Sequence, residues 1–212
     1  TLLGSAFMLV GILALYFSTG TFDMTILPEK ISGAELILPA SMLFLLTIVG
    51  FAIKLPVFPL HTWLPDAHTD APTAASVMLA GVLLKMGGYG MFRVSAFMFP
   101  EQINDYSWML AVIGVFNIIY GAAITIRQTD LKRLVAYSSI SHMGFVLLGL
   151  ASAPGDAAIL GMTGAALQMF THGTITGLLF LTVGFIYEKT HTRHIPDLGG
   201  IATRIPILTV SL

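Results

Sequence analysis

Six stretches of this chain, and the start of a seventh, are almost free of charge over lengths that suit a bilayer. A hydrocarbon core is about 30 Å thick and takes about 20 apolar residues in a helix. Runs of this kind occupy 1–17, 36–54, 72–93, 107–126, 133–151 and 157–187, and a further one begins near 205 and continues to 212. Alternation with a period of two residues is absent, which argues against a β-barrel. The composition agrees: 56% of residues are hydrophobic and 10% are charged, against about 25% charged in a soluble domain. So little polar surface cannot cover a water-facing globule. The chain is therefore read as all-α, a polytopic transmembrane helix bundle lying in the lipid bilayer, with 1–212 as a single transmembrane domain.

Both ends fall inside apolar runs, so a piece of a longer protein is expected. Residues 1–17 carry no basic leader and no small-residue cleavage site, and are not read as a signal peptide. A net charge of −1 gives no reason to expect a nucleic-acid partner. The absence of cysteine excludes disulfides, thiolate metal sites and cysteine nucleophiles.

Segment 157–187 holds 31 residues without Asp, Glu, Lys or Arg. As a helix it would be about 46 Å long, so tilt, a kink or protrusion is expected. Orientation follows from basic residues in the loops. Arg127, Lys132, Arg133, Lys189, Arg193 and Arg204 lie on one side, against Lys30 and Arg93 on the other. That places 127–133 and 188–204 on the cytoplasmic, matrix or stromal side, with 55–71 on the same side or dipping in from it.

Against this apolar background, residues 54–90 are unusual: KLPVFPLHTWLPDAHTDAPTAASVMLAGVLLKMGGYG. Lys54 closes segment 36–54, where a lysine can snorkel to the interface. Pro56, Pro59 and Pro65 follow it within an apolar run. Prolines delete backbone donors and break helices, and a break at membrane depth survives only inside protein or beside a wet cavity. A broken helix is therefore expected, with Lys54 beside the break. Lys85 lies well inside segment 72–93, with Gly81 one turn before it and Tyr89 one turn after. A lysine at mid-membrane costs about 2.5–3.5 kcal/mol on insertion scales. It is either half of a structural pair with a carboxylate or a proton carrier.

His142 and His172 also sit mid-segment. His142 has Ser138 one turn back, and His172 has Gln168 and Thr176 on the same face. Each alone suits a hydrogen bond between packed helices. Two histidines together with two lysines form a series of titratable groups able to relay protons. Every Asp and Glu lies in or beside a loop, so a counter-charge for the lysines must come from outside this chain. His61 follows the proline break and belongs to the same polar path. Neither the His61, Asp66, His68 group nor the His191, His194 pair has the spacing of a metal site. No nucleotide-binding or nucleophile motif occurs, so no cofactor is expected.

These motifs resemble those of a known family. Residues 54–90, with TDLKRLVAYSSISHMGFVLLG (129–149), LQMFTHG (167–173) and YEKTHTR (187–193), resemble the antiporter-like membrane subunits of NADH-quinone oxidoreductase, respiratory complex I, and most of all the M, or chain 4, type. The resemblance covers nearly the whole chain. It implies an antiporter-like fold of inverted repeats, each with a broken helix. The family's broken-helix lysine falls on Lys54, its mid-membrane lysine on Lys85, and its axial histidines on His61, His142 and His172. A glutamate partner for Lys54 is expected before Thr1, and a second ionisable break beyond Leu212.

The implied function is proton translocation through the Lys/His axis, coupled to quinone reduction in other subunits. The chain would be part of an enzyme without doing redox chemistry itself. Neighbouring membrane subunits are the implied partners, and a bacterial plasma membrane or equivalent energy-transducing membrane the location. A subunit of a multisubunit sodium/proton antiporter or membrane-bound hydrogenase, and a structural subunit with vestigial charges, are the alternatives.

Overall fold

A computed structural model describes residues 1–200 of the chain. The apolar segment expected near 205–212, with Arg204, lies outside the described residues. The described part is helical throughout: α1 Leu2–Thr19, α2 Leu27–Gly33, α3 Ala40–Lys54, α4 Trp63–Asp70, α5 Thr73–Ala96, α6 Pro100–Ile126, α7 Leu131–Ala151 and α8 Ala158–Thr190, then a 3₁₀ turn at Ile195–Asp197. The β-type pairing among the described residues is an isolated bridge between Asp130 and His194.

The ends of these helices have local causes. Gly20 closes α1 in the left-handed region (φ 71°), and its N–H reaches the Tyr16 carbonyl at 2.7 Å. Asp130 caps α7 by accepting from the Arg133 N–H at 3.1 Å. Helix α6 starts at Pro100 rather than near 107, because Pro100 suits the first turn. The polar residues Glu101, Gln102, Asn104 and Asp105 then form helix that extends past the apolar stretch. Helix α2 had no counterpart among the apolar runs, being only 7 residues long.

Among the described residues, five helices are long and apolar enough to cross a membrane: α1, α5, α6, α7 and α8. Helix α3, with 15 residues, reaches only about 22 Å, short of the roughly 30 Å core. The break at 55–62 and helix α4 follow it in the chain. Helix α8 runs unbroken for 33 residues, about 50 Å, so it outruns the bilayer by protruding or tilting. Helix α5 is interrupted by two π-helical segments, Leu79–Leu83 and Met91–Ala96, which reset the direction of its side chains.

Lipid and water-free packing leave little hydrophobic drive between helices, so close approach of small residues does the joining. A Cβ at Gly144 of α7 would stand 2.7 Å from the Gly114 carbonyl of α6, and one at Gly121 of α6 would stand 2.6 Å from the Ser141 nitrogen of α7. Helices α6 and α7 therefore touch backbone to backbone. Gly87 of α5 meets the end of α3, where its Cβ would lie 2.8 Å from the Leu55 nitrogen. One core cluster gathers Leu43, Phe44, Phe99, Met143 and Leu147, and a second gathers Leu64, Leu84, Ile140 and Phe180. Large apolar side chains that remain outside, such as Ile159, Leu160, Ile126 and Phe170, suit contact with lipid.

Candidate functional site

The proline run breaks the α3–α4 crossing. Pro56 and Pro59 cannot donate, so the chain leaves α-helix after Lys54 and resumes at Trp63. Groups freed by the break are met by side chains and by irregular turns. Val57 N–H bonds the Ala52 carbonyl at 2.9 Å and Leu60 N–H the Val57 carbonyl at 2.7 Å. Trp63, from the far side of the break, donates its indole N–H to the Ile53 carbonyl at 2.8 Å. Asn117, fully buried on α6, accepts from Phe58 N–H at 2.8 Å.

Lys54 is half-buried at the last turn of α3, its Cβ against Gly87 of α5. No carboxylate pairs with it among the described residues. His61 lies in the break and is 2% exposed. Its ring stacks on Phe58 (5.6 Å between centroids) and meets Tyr120 edge-on (5.1 Å), and its Nδ1 has no partner.

Lys85 is half-buried on α5 and donates to the carbonyl of Ala80, inside the first π-helical segment. It opens onto an apolar groove of about 860 Å³ between α5 and α8, lined by Val82, Met86, Met169, Phe170 and Gly173 among others. Gly81 and Gly173 bring the two helices into backbone contact beside it. His172 adjoins Gly173 on α8. It is 3% exposed and both its ring nitrogens lack partners. His142 of α7 lies 5.4 Å from it, centroid to centroid. Together with Ser138, Gln168, Thr171, Thr176, Ile175 and Leu179, the two rings line a small pocket of about 120 Å³. Lys85 approaches α8 beside His172: a Cβ at Gly173 would lie 3.6 Å from Lys85 Cε.

Two expected pairings differ in the structure. Gln168 bonds not to His172 but across the helices to His142 Nδ1, at 3.2 Å. Thr176 and Ser138 turn their hydroxyls back to the carbonyls of His172 and Val135, as serine and threonine do inside helices. Such local bonds leave the His172 ring bare.

Sequence reasoning gave too little weight to two residues. His68, set aside with a rejected metal group, is wholly buried on α4, stacks on Phe180 at 4.4 Å, and has both ring nitrogens unpartnered. Lys132, counted only as a loop charge, is 4% exposed, and its Nζ reaches the Ala71 carbonyl at 2.6 Å. Uninterrupted apolar neighbours on both sides would have flagged neither one. The missing signal was the fold itself, which lays the end of α4 across the start of α7. Arg133 pairs with Asp66 there at 2.6 Å, and Arg193 donates to the Thr69 carbonyl at 2.9 Å and sits 3.6 Å from Asp130. The loops 127–130 and 191–195 are thus bound together at one end of the bundle, with α4. His191 caps α8 and His194 pairs with Asp197 at 3.1 Å.

Comparison with known proteins bears on this arrangement. The model of the family "NADH:quinone oxidoreductase/Mrp antiporter, TM" matches residues 1–212. NAD(P)H-quinone oxidoreductase chain 4 1 of Picosynechococcus sp. is 50% identical over 208 residues, covering 97% of this chain and 38% of that protein. A chain of respiratory complex I from Thermus thermophilus with bound NADH superposes with a TM-score of 0.86 at 33% identity, over 99% of this chain and 44% of that one. A chain of the Mrp complex from Dietzia sp. superposes with a TM-score of 0.85 at 25% identity, over 99% of this chain and 38% of that one. This chain spans about two fifths of the length of the curated relatives it matches. The broken crossing, the intramembrane lysines and the antiporter-like helix arrangement thus coincide with a family match over the full length given, and the chain belongs to the NADH:quinone oxidoreductase/Mrp antiporter transmembrane family.

Proposed function

We propose that this chain is the central part of a proton-translocating subunit of NADH-quinone oxidoreductase, seated in a bacterial plasma membrane or an equivalent energy-transducing membrane. Protons would pass from Lys54 by way of His61 to Lys85, and from Lys85 to His172 and His142. The observation that carries this reading is the cluster of Lys85, His172 and His142: an ammonium at mid-helix, two rings 5.4 Å apart, and both nitrogens of His172 unpartnered. Ionisable groups inside a membrane are costly to keep and mark functional sites by default.

Switching would be electrostatic. A unit charge 4 Å away is worth about 4 kcal/mol at an effective dielectric of 20, or about three pKa units. Moving a partner charge toward or away from Lys54 would therefore change which group holds the proton. Quinone reduction would take place in other subunits of the complex, which are the proposed partners. His68 and Lys132, between the basic end of the bundle and Lys85, would extend the path toward that surface.

The test is Lys85→Ala in the assembled complex in sealed vesicles, with quinone-linked electron flow and proton uptake read together. Loss of pumping at retained electron flow is expected, and an unchanged proton-to-electron ratio would refute an obligatory role. The likeness to the Mrp complex chain favours a second reading, a sodium/proton antiporter subunit with no redox partner. The higher identity to the chain 4 relative supports the first. Sodium-driven proton exchange in vesicles without an electron donor, together with purification free of a quinone-reducing assembly, would select the second.

A further inference from the structure

Asn117 is not titratable, and each of its hydrogen bonds reaches another part of the chain. Asn117 lies in the middle of α6 and is wholly buried among apolar residues. Its Oδ1 accepts from Phe58 N–H at 2.8 Å, and its Nδ2 donates to the Pro56 carbonyl at 3.4 Å and to the Ile140 carbonyl at 3.1 Å. A single amide thus serves two backbone groups of the break and one carbonyl of α7. An amide with one acceptor and two donor hydrogens can do this, whereas a hydroxyl or an aliphatic group of similar size cannot.

The consequence reaches the titratable groups. Phe58, held by its N–H, forms one wall of the His61 site, and Tyr120, one turn along α6 from Asn117, forms the other. Ile140, two residues before His142, is the anchor on α7. We infer that Asn117 is a positioning residue. It holds the Lys54–His61 break in register with the helix that carries His142, so the two parts of the polar axis keep a fixed geometry. This role rests on the proton-path reading above.

The test uses the whole complex carrying Asn117→Leu, with Lys85→Ala as reference. Asn117→Ser is the substitute should the leucine variant not assemble, since its side chain is too short to span from the break to α7. Three quantities are read: hydrogen exchange of the peptide covering 55–62, the proton-to-electron ratio, and the pH profile of pumping. Loss of a buried hydrogen bond should speed exchange in that peptide by about tenfold or more, with the α6 and α7 peptides unchanged. The ratio should fall and the pH profile should move. Unchanged exchange at 55–62 overturns the inference. So does faster exchange with an unchanged ratio and pH profile while Lys85→Ala stops pumping, because Asn117 would then be structural only. If Lys85→Ala also leaves pumping intact, the proton-path reading itself fails and this role goes with it.

Discussion

Gly81 and Gly173 face each other across the α5–α8 contact, yet a methyl group should have opposite consequences at the two positions. At Gly81 the added Cβ would meet only the Gly173 carbonyl oxygen, at 3.6 Å, an ordinary contact. At Gly173 it would stand 2.8 Å from the Gly81 carbonyl oxygen and 3.6 Å from Lys85 Cε. The first of these atoms is backbone and cannot swing aside. Restoring ordinary contact at 3.4 Å requires α8 to move away from α5 by about 0.6 Å. Overpacking of this kind costs about 1–3 kcal/mol. Both variants gain about 0.5–1 kcal/mol of helix stability from replacing glycine by alanine. Gly81→Ala should therefore be neutral or slightly stabilising, and Gly173→Ala destabilising, with about 1–3 kcal/mol between them. The displaced helix also carries His172 away from Lys85, so the proton-to-electron ratio should fall in Gly173→Ala and hold in Gly81→Ala. Thermal inactivation of the purified complex, compared pairwise, reads the first effect, and vesicle pumping reads the second. Equal behaviour of the two variants would refute the argument, because nothing but the asymmetry of the contact separates them.

Three further outcomes can be checked. Gly144→Val should disrupt the α6–α7 contact far more than Gly164→Val, because a Cβ at Gly144 meets the Gly114 carbonyl at 2.7 Å while one at Gly164 meets nothing; the yield of assembled complex reads this. Asp66→Asn should change stability by less than about 1 kcal/mol, despite a 2.6 Å ion pair to Arg133, since both side chains are largely exposed; thermal inactivation checks it. Trp63→Phe removes the indole donor to the Ile53 carbonyl and should cost about 0.5–1.5 kcal/mol, appearing as faster hydrogen exchange at the end of α3.

Much of this architecture could be read from the chain directly. Apolar run lengths mark α1, α5, α7 and α8 to within a few residues, because a bilayer imposes a length and forbids unsatisfied backbone. Pro56 and Pro59 mark the break for the same reason. What periodicity could not supply was facing. His68 and Lys132 are buried only because α4 folds onto the start of α7, a contact between residues 61 apart in the case of the Lys132 bond to Ala71. The pairing of Gln168 with His142 likewise depends on how α7 and α8 are rotated, and a helical wheel for α8 alone puts Gln168 with His172 instead.

A buried amide obeys the same rule as a buried lysine or histidine. Mid-membrane lysines and histidines stand out because a polar group in oil must have a reason to be there. The same cost applies to an amide in IGVFNIIYG, which is polar without being titratable. The structure supplies the reason: a proline break frees backbone groups that water cannot reach, and something must bond to them. A break and a buried amide on a neighbouring helix therefore belong together. Lys54 and His61 keep their places at the break because Asn117 and Trp63, neither of which can titrate, hold the surrounding backbone.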